Sequence, residues 1–202
     1  MKLSEQTVSI LKNFSTINQN LVIKQGSEIS TMSAMKNIVS KSKVDETFPV
    51  EFAIYDLNEF LSAMSLFTNP ELDFDDNFVL ITEAGSNDTS LKYWYSEPSV
   101  VTTPSKEVTM PSVEVEFPMN SDILSEVQTA AAVIGAPDMV LEDDELRVTT
   151  KKHDTANSYS TSLDTKSDND ATYKFWFKVE NLKLLPGDYD VEVSEKRISH
   201  FK

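Results

Sequence analysis

A helix, a strand, a turn built on two consecutive aspartates and a returning strand occur twice in this chain of 202 residues, and any fold proposed for it has to accommodate that repetition. In the first half, Asp56 can cap a helix whose apolar residues Leu57, Phe60, Leu61, Met64 and Phe67 recur at three-to-four spacing until Asn69 and Pro70 stop it. Glu71–Phe74, the turn at Asp75 and Asp76, and Phe78–Thr82 then read as a hairpin. In the second half, Asn120 or Ser121 can cap a helix through Ile123, Leu124, Val127, Ala131 and Ile134, with Gly135 and Pro137 ending it. Met139–Leu141, Asp143 and Asp144, and Leu146–Val148 form the second hairpin. A further echo relates Phe52–Asn58 to Phe175–Asn181, each read as a strand running directly into a helix.

The chain opens with one more amphipathic helix, Ser4 to Asn18, where Thr7, Ile10, Leu11, Phe14 and Ile17 share a face. Its other face carries Glu5, Ser9, Lys12, Asn13 and Thr16. Short β-branched and aromatic runs from Asn20 to Tyr55, and again at Ser90–Tyr95 and Val113–Phe117, read as strands. Half of the 8 prolines, Pro98, Pro104, Pro111 and Pro118, fall close together, and the first three space out an extended stretch from Glu97 to Ser112. The expected organisation is α+β, with two similar β-rich domains at residues 1–98 and 113–202 joined by a connector at 99–112.

Charge restricts function more than it restricts fold. A formal net charge of -15 repels nucleic acid at long range, so any contact with phosphate has to come from local lysines. Those are patterned: Lys and Arg are absent from Val44–Leu91 and from Glu107–Leu146. With no cysteine, disulfides, thiolate metal sites and cysteine nucleophiles are all excluded, which suits a reducing compartment. No apolar run approaches the ~20 residues of a membrane span, and the first residues lack the pattern of a signal peptide.

The catalytic inventory is thin. His153 and His200 have no second nitrogen ligand near them in sequence, so no metal site is expected. The run Asp73-Phe-Asp-Asp-Asn places Phe78 where a calcium loop needs glycine, and Glu142–Glu145 reads as a solvated turn. Isolated glycines form no phosphate-cradling loop. A non-enzyme without cofactor is the expectation.

Met1–Ser4, Leu11–Asn18, Ala53–Asn58 and Leu185–Tyr189 resemble the corresponding segments of the DNA polymerase sliding clamps of T-even-like bacteriophages. The resemblance implies the DNA-clamp fold, with helices on one face of antiparallel sheets, closed as a homotrimer into a head-to-tail ring around double-stranded DNA. It also implies DNA polymerase and clamp loader as partners, and the cytoplasm of the infected bacterial host as location. Carried onto this sequence, it gives Lys2, Lys12, Asn13, Lys178 and Lys183 as DNA-facing residues, the lysines at 178 and 183 lying near the second domain's last helix. Met110, Pro111, Leu185 and Pro186 would border a partner-peptide pocket, and Tyr93, Trp94 and Tyr95 would face a neighbouring subunit's Ser158–Leu163, including Tyr159 and Leu163.

The chain departs from the family in carrying Glu5 where a lysine is common, in having no basic residue from Ser121 to Ala136, and in stopping at Phe201-Lys202, where a further strand is expected. An acidic DNA mimic and a phage structural protein are the alternatives that the charge and the β-rich halves allow.

Overall fold

The computed structural model of the chain describes residues 1–86, 88–104, 108–153, 155–167 and 172–202, so residues 105–107 of the expected connector lie outside the described residues. The chain forms two compact units, Met1–Glu107 and Val108–Lys202.

In the first unit the order is α1 (Glu5–Ile17), β1 (Leu21–Ile23), β2 (Gly26–Met32), β3 (Val39–Phe48), β4 (Phe52–Ile54), α2 (Leu57–Met64), β5 (Pro70–Phe74), β6 (Phe78–Glu83) and β7 (Ser90–Trp94). All pairing is antiparallel: β1 with β4, β2 with β3, and β5, β6 and β7 in that order. Alternation decides which side chains point inward. Along β6, Val79 and Ile81 are buried while Phe78, Leu80 and Thr82 are half-buried. The apolar stripe of α1, Ile10, Leu11 and Phe14, is buried to 2 % exposure or less, together with Leu57 and Phe60 of α2. After the short 3-10 turn Pro98–Val100, Val101 is buried with Val22 and Ala53, and Thr102 accepts a hydrogen bond from Asn18, so this end of the proline-spaced stretch packs on the first unit.

In the second unit the order is β8 (Val115–Met119), α3 (Ser121–Ile134), β9 (Asp138–Glu142), β10 (Glu145–Thr149), β11 (Tyr159–Ser162), β12 (Lys166–Ser167), β13 (Lys174–Lys178), β14 (Tyr189–Ser194) and β15 (Ile198–Phe201). Two four-stranded sheets result, ordered β11-β10-β9-β13 and β12-β8-β14-β15. Their inner faces and α3 share one core, with Met119, Val127, Met139, Leu141, Leu146 and Val148 fully buried. Gly135 ends α3 at φ 65, a left-handed cap that favours glycine, and the N–H of Ala136 closes the last turn on Ala131.

Both hairpins with aspartate turns exist, but strand pairing aligns the two halves differently from that echo. β4 pairs with β1, which follows α1; β13 pairs with β9, which follows α3. The second echo is therefore the topological one, and α1 corresponds to α3. One expectation fails within it. After β13 the chain makes only a 3-10 turn, Val179–Asn181, where a helix was expected. The β-branched Val179 and the approach of Pro186 and Gly187 leave too few residues for an α-helix to nucleate.

The entry to α1 is fixed from outside the helix. Ser4 caps it by accepting from the N–H of Thr7 at 3.2 Å, while Glu46 of β3 accepts from the backbone N–H of Ser4 and from Thr7 Oγ1. Burial opposes charge on Glu46, but these hydrogen bonds outweigh it and hold its carboxyl below its ordinary value of 4.5. Because the folded-state pKa is depressed, the contribution is present above the unfolded value and lost as pH falls through the folded one. Urea titrations of Glu46→Gln should show a loss of about 1–2 kcal/mol at neutral pH. The difference from the unaltered chain should shrink as pH drops below 4.5.

Candidate nucleic-acid interface

With its apolar stripe buried, α1 turns Glu5, Gln6, Ser9, Lys12 and Thr16 to solvent, and Asn13 is half-buried beside them. Lys12, exposed on this face, also borders an apolar cavity of about 160 Å³ lined by Leu3, Val8, Leu61, Met64, Phe67 and Leu72. Lys2 is exposed just before the helix and donates to Asn69 Oδ1 at 3.3 Å. Lys2, Lys12 and Asn13 thus lie on or just before one polar helix face, a neutral-to-weakly basic surface.

In the second unit the exposed residues of α3 include Asp122, Ser125, Glu126, Gln128 and Thr129, and no cation. No α-helix follows Lys178 in the chain: it ends β13 before a 3-10 turn, and its ammonium lies 2.5 Å from Asp138 Oδ1, a carboxylate whose side chain is 4 % exposed. Burial opposes the Asp138 charge, but Lys178 and the backbone N–H of Lys151 at 2.8 Å hold its pKa below the usual carboxylate value. Lys183 is exposed, two residues beyond the 3-10 turn.

Met110 and Leu185 are half-buried, and Pro111 and Pro186 are exposed. Leu185 contributes its carbonyl to the hydroxyl of Tyr189 at 2.7 Å.

The strands expected to meet another subunit are both sheet edges. β7 pairs only with β6, and β11 only with β10, among the described residues. Tyr93 turns back into its own unit, packing on Phe60 and donating to the carbonyl of Asp56; burial, helped by the nearby Glu59 and Asp56 charges, pushes its pKa up to about 12. Tyr95 packs on Phe52 with the rings tilted, and burial with Asp75 close by raises its pKa likewise to about 12. Trp94 points outward and is 64 % exposed. Phe78, its partner in register, and Lys92, whose ammonium lies 4.0 Å from the Phe78 ring centroid, complete a patch that motif reading missed. The alternation of Lys92 and Trp94 along the strand was the available signal. On β11, Tyr159 donates to Glu126 at 2.8 Å, whereas Leu163 lies just past the strand and inside the core of its own unit. Among the described residues, no group of three or more His, Cys, Asp or Glu is placed to hold a metal ion.

Residues 2–91 match the family described as DNA polymerase processivity factor. Along its whole length the chain is 35% identical to the sliding clamp of Vibrio phage KVP40, covering 94% of that protein. The chain belongs to the sliding-clamp family. It is also 27% identical to the sliding clamp of Enterobacteria phage T4, over 94% of this chain and 85% of that one, and 25% identical to the sliding clamp of Escherichia phage RB69, over 95% and 86%. Among solved structures, PCNA from Thermococcus kodakaraensis superposes with a TM-score of 0.63 at 15% identity, and the Entamoeba histolytica protein, Proliferating Cellular Nuclear Antigen, with 0.66 at 14%. Each comparison covers 93% of this chain and 85% of the other. The fold is that of the clamps.

Within this clamp fold the two lysines that can be compared directly have different employment. Lys178→Ala leaves a buried carboxylate without its cation and should cost about 1–3 kcal/mol in urea unfolding. Lys12→Ala, at a solvated position, should stay within about 0.5 kcal/mol of the unaltered chain.

Proposed function

We propose that this chain is the processivity clamp of a phage replicative DNA polymerase: a non-catalytic subunit that closes head-to-tail with two further copies around duplex DNA. The similarity to phage sliding clamps along the full chain carries this reading. A clamp loader opens and closes the ring, and the site of action is the cytoplasm of the infected bacterium. Heterologous contact between unlike edges suits such closure, because β7 of one copy and β11 of the next each offer a row of unpaired backbone groups. Trp94 is then the apolar anchor, with Tyr159 opposite it.

The charge of the chain is consistent with this mode of holding DNA. A ring retains its substrate by topology, so Lys2 and Lys12 need supply only loose, sequence-independent contact to phosphate. Weak contact also permits sliding. Met110, Pro111, Leu185 and Pro186 are proposed to receive the anchoring peptide of the polymerase.

Light scattering across a dilution series tests the ring. A mass three times that of the chain, falling to one chain on dilution, is expected; Trp94→Glu should shift the midpoint to about tenfold higher concentration or beyond. Retention on nicked circular DNA with loss from linear DNA of the same length should follow. A single-chain mass at every concentration would overturn the ring.

A further inference from the structure

The cavity of about 160 Å³ beside Lys12 lies wholly within the first unit, where α1, the end of α2 and the start of β5 meet. Neither the proposed phosphate contact nor the proposed subunit contact requires it. Val8 and Lys12 border it from α1, one turn apart, Leu61 and Met64 from α2, and Leu72 from β5. Room remains there because α2 stops at Met64 and the next residue is small. The Ser65 hydroxyl is turned to the carbonyl of Ser62 at 2.7 Å. Met64 and Leu72 are buried, whereas Val8 and Leu61 are half-buried, so the cavity has an apolar bottom and an open mouth.

The lining decides what can occupy it. An ordered water needs two to four polar partners, and a dry apolar cavity of about 150 Å³ has room for a benzene ring. Here the one hydroxyl on the border is already bonded to a carbonyl, so an apolar group is favoured over water. Charge then selects among apolar groups. Of the residues that border the cavity, only Lys12 is charged, and its ammonium has no hydrogen-bond or ion-pair partner among the described residues. A lysine side chain is flexible and carries three donors, which suits it to meet an anion at the mouth.

We infer that this cavity is a binding site for a small aromatic monocarboxylate, its ring among Val8, Leu61, Met64 and Leu72 and its carboxylate on Lys12. Burial of the ring supplies the attraction, and the ammonium fixes the sign of the ligand's charge. Lys12 is the only cation on α1, so an acid held there cancels the charge of that helix face. The site does not depend on ring closure.

The test titrates the full chain with phenylacetate and follows the methyl resonances of Val8, Leu61, Met64 and Leu72. Saturable shifts are expected, with a Kd on the order of 1 mM for a ligand of this size. Phenethylammonium, which has the same ring and the opposite charge, should bind about tenfold more weakly. Lys12→Gln should weaken phenylacetate about fivefold and leave the binding of toluene unchanged, and Val8→Phe should abolish both by filling the cavity. The comparison of phenylacetate with phenethylammonium on the unaltered chain is the deciding readout, since it requires no variant to fold. Equal binding of the two would overturn the inference. So would unmoved cavity methyls at the highest soluble phenylacetate, or displacement of phenylacetate by an equal concentration of inorganic phosphate, which would reduce the site to a surface lysine.

Discussion

Burial of one stripe of α1 against its own sheets determines which residues of the first unit face outward. Ile10, Leu11 and Phe14 are removed from water, and the geometry of the helix then dictates that Ser9, Lys12 and Thr16 stand on the other side. Burying apolar side chains of this size stabilises by roughly 1.5–3 kcal/mol each, which no arrangement of exposed lysines could offset. The hydrogen bonds from Ser4 and Thr7 to Glu46 add direction to that burial. They fix where the helix begins along β3, and with it the height of Lys12 on the surface.

A weakly basic helix face on a chain of charge -15 would make a poor DNA-binding protein if affinity alone held the complex. In the proposed ring it would make a workable lining. In a closed ring the lysines have only to avoid repelling the duplex, and strong phosphate contacts would hinder movement along it. In that proposed arrangement the absence of cations on the exposed residues of α3 would weaken the contact without removing the means of retention.

Helix faces and hairpins were legible in the sequence because both rest on local chemistry. Ser4, Asp56, Asn120 and Gly135 stand at the helix ends they were read to mark, and the aspartate turns at 75–76 and 143–144 lie between the strands expected. Which repeat was the topological one was not legible. The acidic hairpins look alike because solvated turns favour the same residues everywhere, whereas the equivalence of β4 and β13 is expressed only in their pairing with β1 and β9. The missing helix after β13 belongs to the same class of error, since an amphipathic pattern over seven residues fits a strand followed by a tight turn as well as a strand followed by a helix.

Side-chain employment was the least legible level. Lys12 and Lys178 look interchangeable as letters, yet one projects from a helix over an apolar cleft and the other closes on a buried carboxylate forty residues away. Cross-strand register decides between them, because it is the pairing of β13 with β9 that brings Lys178 to Asp138. The tyrosines beside Trp94 make the same point. Alternation on an edge strand can present only every second side chain to a partner, so a contact assigned to three consecutive aromatics had to divide, with Tyr93 and Tyr95 anchoring β7 to its own unit and Trp94 left outside. An edge strand of this kind is held inward by one set of side chains, so that its backbone and its other set stay available for another strand.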